Sequence, residues 1–252
     1  MKASFKKRLT RGDLLIGTII TLPSPEIAEI FCLAGFDWLF VDLEHSALSI
    51  KDAQVILQAA SKIPCVIRVA SGEEVWIKKA LDIGASGIIV PQIRTTEEAE
   101  MSVRLCKYPP EGIRSVGISR AQQYGQNFQE YVASANDETA VIIQIEHIDA
   151  VNDIENILGI SGIDGLFVGP YDLSASMGKT GHITDTEVQN AILHVKNCAE
   201  RAKIPLGIFG ATAEAVNPYI RSGYTLIAVC MDTMLIGNAA KNITDLLKSS
   251  SG

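Results

Sequence analysis

The chain has 252 residues, 47% of them hydrophobic and 20% charged, with a net charge of -7. That length suits an α/β barrel in one domain, and that composition excludes a disordered chain. The acidic balance argues against a nucleic acid as principal partner, and no apolar run approaches the ~20 residues that span a bilayer.

The first eleven residues, MKASFKKRLTR, are basic, but no apolar stretch with a small-residue cleavage site follows, so the reading is of a chain without a secretory signal. Leu14–Thr21 reads as a strand, and Pro23-Ser24-Pro25 with Glu26 behind it reads as a helix start. Further strands are expected at Trp38–Leu43, Cys65–Val69, Gly87–Gln92, Val141–Glu146, Gly165–Gly169, Leu206–Gly210 and Leu226–Met231, eight in all. Most are continuous apolar runs, as strands covered on both faces should be. Ile50–Ser61, Glu73–Ile83 and Thr186–Ala202 carry helical periodicity, the last with acids early and bases late. The phrases LAGFDWLFV, DIGASGIIV, ISGIDGLFV and RSGYTLIAV each place a glycine where a helix ends and the next strand begins.

Strand and helix alternating eight times predict a single-domain (β/α)₈ TIM barrel over residues 1–252. A doubly wound open sheet is the rival, but GTIITLPSPE after the first strand is not a dinucleotide fingerprint. The long stretch between strands four and five, Thr95–Thr139, holds a helix and then PPEGIRSVGISRAQQYG, and a loop of that size suggests function. The five cysteines, Cys32, Cys65, Cys106, Cys198 and Cys230, form no CxxC pair and read as small buried hydrophobes in a reducing cytoplasm.

In such a barrel, polar groups after the strands' C-terminal ends face the active site. Strand two ends Asp42-Leu43-Glu44-His45, strand five ends Gln144-Ile145-Glu146-His147, and strand six ends Gly169-Pro170-Tyr171-Asp172. Alternation puts Asp42 and Glu44 on one face, and Gln144 with Glu146 on one face. Glu146 and Asp172 end adjacent strands. Two unpaired carboxylates in a dry cleft repel, and a hard divalent ion relieves that; salt bridges or loop caps are the plainer reading. His45 is a candidate proton carrier at the mouth, with His147 a weaker second. Arg68, flanked by apolar residues, must either meet an acid or bind an anionic substrate. Arg114 and Arg120 read as exposed loop residues with possible substrate contact. Gly207 and Gly210 end strand seven, where many barrels bind phosphate, though no further glycines accompany them.

Taken together, these segments resemble the class II pyruvate-dependent aldolases of the 4-hydroxy-2-oxoheptane-1,7-dioate aldolase group, the HpcH/HpaI family. The matching pieces are Gly35-Phe36-Asp37 through Glu44-His45, Ile67-Arg68-Val69, Ala80 through Ala85, Tyr108 through Arg114, Gln144-Ile145-Glu146, and Gly165 through Ser174. They run in order over nearly the whole chain. The resemblance implies cleavage of a 4-hydroxy-2-oxo acid to pyruvate and an aldehyde. It implies a divalent metal (Mg²⁺, Mn²⁺ or Co²⁺) on Glu146 and Asp172, chelated by pyruvate with help from Gln144 and the backbone at Tyr171-Asp172. It implies Arg68 at the enolate oxyanion, His45 moving the proton of the 4-hydroxyl, and Asp82 raising that histidine's basicity. It also implies a homo-oligomer, a trimer or hexamer, whose last helix swaps between neighbours. Tyr171 stands where members often carry a small residue, which would narrow the pocket. The strand ends contain no lysine, which agrees with a metal route in place of a Schiff base.

Two other readings compete. A barrel lyase acting on acyl-CoA thioesters, like the citrate lyase beta subunit, would want a basic patch for the diphosphate, and none is evident. A catalytically silent barrel would have no need of the acid, histidine and arginine set.

Overall fold

The computed structural model describes residues 3–249. A short helix, α1 (Phe5–Thr10), precedes β1 (Leu15–Ile20), α2 (Pro25–Ala34), β2 (Trp38–Asp42), α3 (Ile50–Ala59), β3 (Cys65–Arg68), α4 (Glu74–Asp82), β4 (Gly87–Val90) and α5 (Thr96–Cys106). A 3₁₀ segment at Arg120–Gly125 leads into α6 (Phe128–Glu138) and β5 (Ala140–Ile145). Then come α7 (Ile148–Asn152), α8 (Ile154–Leu158), β6 (Gly165–Val168), α9 (Pro170–Ser176), α10 (Thr186–Ala202), β7 (Leu206–Gly210), α11 (Ala213–Arg221), β8 (Leu226–Met231) and α12 (Asp232–Ser249). Every strand pairs in parallel with its neighbour and β8 closes on β1, so the eight strands form the expected TIM barrel.

Local chemistry starts and stops the helices. Ser24 caps α2 with Pro25 in its first turn, and Gly35 ends it at φ 92°, a left-handed conformation that favours glycine. Ser49 with Asp52, and Thr95 with Glu98, form capping boxes at α3 and α5.

The two-residue alternation of each strand sorts the core into two bodies. One set of side chains, including Leu39, Val41, Ile67, Ile88, Ile143 and Val168, faces the helices. The other, including Trp38, Phe40, Val66, Ile142 and Phe167, fills the barrel interior, and Phe5 and Leu9 of α1 join it from below. Two glycines make this interior possible. A Cβ on Gly17 would lie 2.5 Å from the Trp38 ring, and one on Gly207 would lie 2.6 Å from the Phe167 ring. Gly207 is therefore a packing residue, and Gly210, whose Cβ would meet Val216 at 2.5 Å, admits α11.

The long segment after α5 also departs from expectation. It follows a helix and leads towards the next strand, so it lies at the N-terminal face of the barrel, away from the mouth. Arg114 is not exposed there. It is 2% exposed, sits 4.4 Å over the Tyr108 ring and 5.7 Å from the Tyr131 ring, and pairs with Asp82 at 3.0 Å. Arg120 donates from Nη1 to the Ile83 carbonyl at 2.6 Å. Both arginines hold the loop against the end of α4, which accounts for their presence without a substrate.

Candidate active site

The interior alternation continues to the C-terminal mouth, and there its residue types change. Phe40 is followed two residues on by Asp42 and then Glu44. Val66 is followed by Arg68, Ile142 by Gln144 and then Glu146, and Phe167 by Gly169. The same periodicity that builds the core thus delivers acids, an arginine and an amide to one end of the barrel.

Asp42 and Arg68 lie side by side in the register of β2 and β3. Arg68 donates from Nε to Asp42 Oδ1 at 2.8 Å and from Nη2 to Oδ2 at 2.7 Å. Its guanidinium rests 5.2 Å from the centre of the Phe40 ring, and its Nε lies 3.3 Å from Glu44 Oε2. Asp42 is 2% exposed and also accepts the backbone N–H of Glu44 at 3.0 Å. The fork fixes the guanidinium plane in a way a lysine could not. Burial raises the Glu44 carboxyl above the usual carboxylate range, while Arg68 and His45 pull it back.

Glu146, 1% exposed, accepts from the Gln92 backbone N–H at 2.7 Å and from the Gln144 side-chain amide. Gln92 reaches it from a left-handed conformation, φ 58°, which is strained for a residue with a Cβ. Burial pushes the Glu146 carboxyl up to about 7; the Gln92 N–H opposes that rise, and the negative charges of Glu44 and Asp172 add to it. Gln144 Oε1 is buried with no hydrogen-bond partner.

These features fit a hard divalent cation. The charge of Asp172 adds to the cost of ionising buried Glu146, an amide oxygen beside Glu146 lacks a partner, and all three donors are oxygens. Among the described residues, no three His, Cys, Asp or Glu side chains gather into a set that could hold an ion. Two carboxylates, Glu146 and Asp172, would leave positions on such an ion for water or a chelating substrate.

A cavity of about 490 Å³ opens at this end, and Asp42, His45, Arg68, Gln144, Tyr171 and Asp172 line it. The His45 side chain is 57% exposed, with Nε2 3.7 Å from Glu44 Oε2. Asp172 lies in the first turn of α9, which Pro170 begins directly after β6.

Asp82 does not join this group. It ends α4 at the opposite, N-terminal face, where its side chain binds Arg114 and its carbonyl accepts from Ser119 Oγ at 2.7 Å. It does not reach His45 of its own barrel. His147 is also accounted for elsewhere: its Nδ1 accepts the Asp149 N–H at 3.2 Å and caps α7. Nothing in the sequence pointed to the Gln92 N–H, while the acid expected beside Arg68 is Asp42, held in a two-bond fork. A positive φ at Gln92 leaves no residue-type signal, whereas the fork was open to inference from two strand-end residues on neighbouring strands.

A closed (β/α)₈ barrel with buried carboxylates, a fixed arginine and an exposed histidine at its C-terminal mouth has the layout of an enzyme site. Residues 16–239 match the model of the HpcH/HpaI aldolase/citrate lyase family. A "Hydroxypyruvate/pyruvate aldolase" of Roseobacter denitrificans is 37% identical, covering 95% of each chain. A "4-hydroxy-2-oxo-heptane-1,7-dioate aldolase" of Escherichia coli is 38% identical, covering 96% of this chain and 93% of its own. The crystal structure of a family protein from Burkholderia cenocepacia superposes with a TM-score of 0.93 at 34% identity, covering 96% of this chain and 98% of that one. The chain belongs to the HpcH/HpaI aldolase/citrate lyase family.

Proposed function

We propose that the chain is a divalent-metal-dependent aldolase that cleaves a 4-hydroxy-2-oxo acid to pyruvate and an aldehyde. The observation that carries this reading is that Gln144, Asp172 and Arg68 line one cavity at the barrel mouth, with the buried Glu146 hydrogen-bonded to Gln144 behind its wall. The names of the relatives support the same reaction class.

Glu146 and Asp172 would hold the cation, which when bound would act as a Lewis acid towards the 2-oxo group of the substrate. Breaking the C3–C4 bond leaves negative charge on the pyruvate fragment. Arg68, locked by Asp42, presents fixed positive charge to that oxyanion without having to reorganise. His45, exposed at the mouth, takes the proton from the 4-hydroxyl as the bond breaks and returns one in the reverse direction. Gln144 orients Glu146 and offers its unpartnered oxygen to the cation or its ligands. The Tyr171-Asp172 backbone, in the first turn of α9, meets the substrate carboxylate.

A pyruvate-release assay on 4-hydroxy-2-oxo acids tests this. Activity should vanish in EDTA and return with Mg²⁺, Mn²⁺ or Co²⁺. Activity that ignores chelation and survives Glu146→Ala contradicts it.

The assembly belongs to the same proposal. On α12, Leu235, Ile236 and Ile243 are 37%, 53% and 60% exposed, and the helix's one buried residue is Asp232. We infer that this helix packs on a neighbouring copy in a trimer or hexamer, which analytical ultracentrifugation would measure. Among the described residues no helix is long and apolar enough to cross a membrane. All five cysteines are free thiols, which favours a reducing compartment such as the cytoplasm.

A further inference from the structure

The two ends of the cavity differ in chemistry. The acids and the arginine lie together on β2, β3, β5 and the start of α9. The rest of the lining is mainly apolar, with Ile19, Phe40, Phe167, Tyr171, Phe209 and Met231, and its polar members Thr21, Ser46 and Thr233 carry no charge. Tyr171 comes from the first turn of α9 and Phe209 from the end of β7, and their rings stand 6.4 Å apart at 51°. Tyr171 is 45% exposed and Phe209 half-buried, so this pair borders the open side of the pocket. Among the described residues that line the cavity, Arg68 is the one lysine or arginine, and Asp42 holds it through two hydrogen bonds, with Glu44 beside it.

We propose that the aldehyde partner is uncharged and carries an aromatic or branched apolar group, seated against the Tyr171–Phe209 pair. This rests on the aldolase reading and narrows it. A carboxylate at the far end of the aldehyde would lose water on entering and meet no unpaired lysine or arginine among the described lining residues, whereas an aryl or branched alkyl group would bury its surface on two rings. The step itself balances without a co-reactant. In the condensing direction pyruvate loses a C3 proton, the C3–C4 bond forms to the aldehyde carbon, and the aldehyde oxygen takes up a proton.

The test is condensation of pyruvate with benzaldehyde and with succinic semialdehyde, using the full chain with Mn²⁺. We expect kcat/KM for benzaldehyde to exceed that for succinic semialdehyde by about tenfold or more. Tyr171→Ala and Phe209→Ala should each reduce that ratio by about fivefold, and Tyr171→Phe should keep it. Exchange of the pyruvate C3 protons with deuterium, followed by NMR without aldehyde, separates the two levels. Exchange accompanied by equal or better use of succinic semialdehyde, by no use of benzaldehyde, or by an unchanged ratio in both alanine variants overturns this inference and leaves the aldolase reading standing. Neither exchange nor condensation overturns both.

Discussion

Gly169 stands so close to Glu146 that a methyl group on its α-carbon would lie 2.8 Å from Glu146 Oε2 and 2.9 Å from Glu146 Cβ. The same methyl group would lie 3.1 Å from Gln144 Nε2. The glycine keeps room for a carboxylate–amide pair whose orientation the proposed cation depends on. Gly169→Ala should therefore weaken Mn²⁺ binding by about tenfold or more while the circular dichroism spectrum stays that of the parent. Titration calorimetry reads the affinity directly. Unchanged affinity would mean that this close approach has no bearing on the cation.

Arg68 and its partner give a second prediction. Arg68→Lys keeps the charge but loses the fork to Asp42, so turnover should fall by about a hundredfold. Asp42→Asn should lower turnover in the same direction and by less, since an amide oxygen still accepts one of the two hydrogen bonds. Steady-state kinetics on one 4-hydroxy-2-oxo acid checks both. Full activity in Arg68→Lys would remove the oxyanion role.

His45 is placed to move a proton and makes no contact that the fold needs beyond its own backbone. His45→Ala should lower kcat by about a hundredfold or more and leave the inhibition constant of pyruvate within a few-fold. A parallel loss of pyruvate affinity would make His45 a binding residue.

At the other face of the barrel, Lys107 is 3% exposed and donates to the Asn136 carbonyl. Burial, with a smaller contribution from nearby Lys6, lowers its pKa from the ordinary 10.5 to about 8, against the pull of Asp164. Unfolding therefore takes up a proton between about pH 8 and 10.5, and this residue's contribution makes the protein more stable as pH rises through that window. Below the window the lysine is charged in both states and its burial opposes folding by a constant amount. Lys107→Met should raise the urea midpoint at pH 7 and raise it less at pH 10, since Asn136 keeps its hydrogen bond from Lys6. Urea midpoints for the two proteins that stay parallel from pH 7 to 10 would contradict this.

Periodicity made the fold readable. Each strand carries an apolar core long enough to announce itself, and glycine at helix ends marks where the next begins. The same two-residue alternation placed Asp42 with Glu44 and Gln144 with Glu146 correctly before any coordinates. What sequence did not show was the direction of the loops. Arg114 and Arg120 sit in a segment that follows a helix, and in a (β/α)₈ barrel such segments lie at the face opposite the site. Loop length alone drew attention there, and Asp82, at the end of α4, belongs to the same face. Gln92 escaped notice because its contribution is a backbone N–H in an unusual conformation, which side-chain chemistry does not encode.

A divalent ion held by Glu146 and Asp172 is the centre of the proposed chemistry. Anomalous diffraction from crystals soaked in Mn²⁺ and pyruvate tests it most directly. It should show a single strong peak within coordination distance of both carboxylates, with the pyruvate carboxylate and keto oxygens completing the shell. Pyruvate bound in the cavity with no peak beside those two side chains, or a peak held elsewhere, would contradict the account.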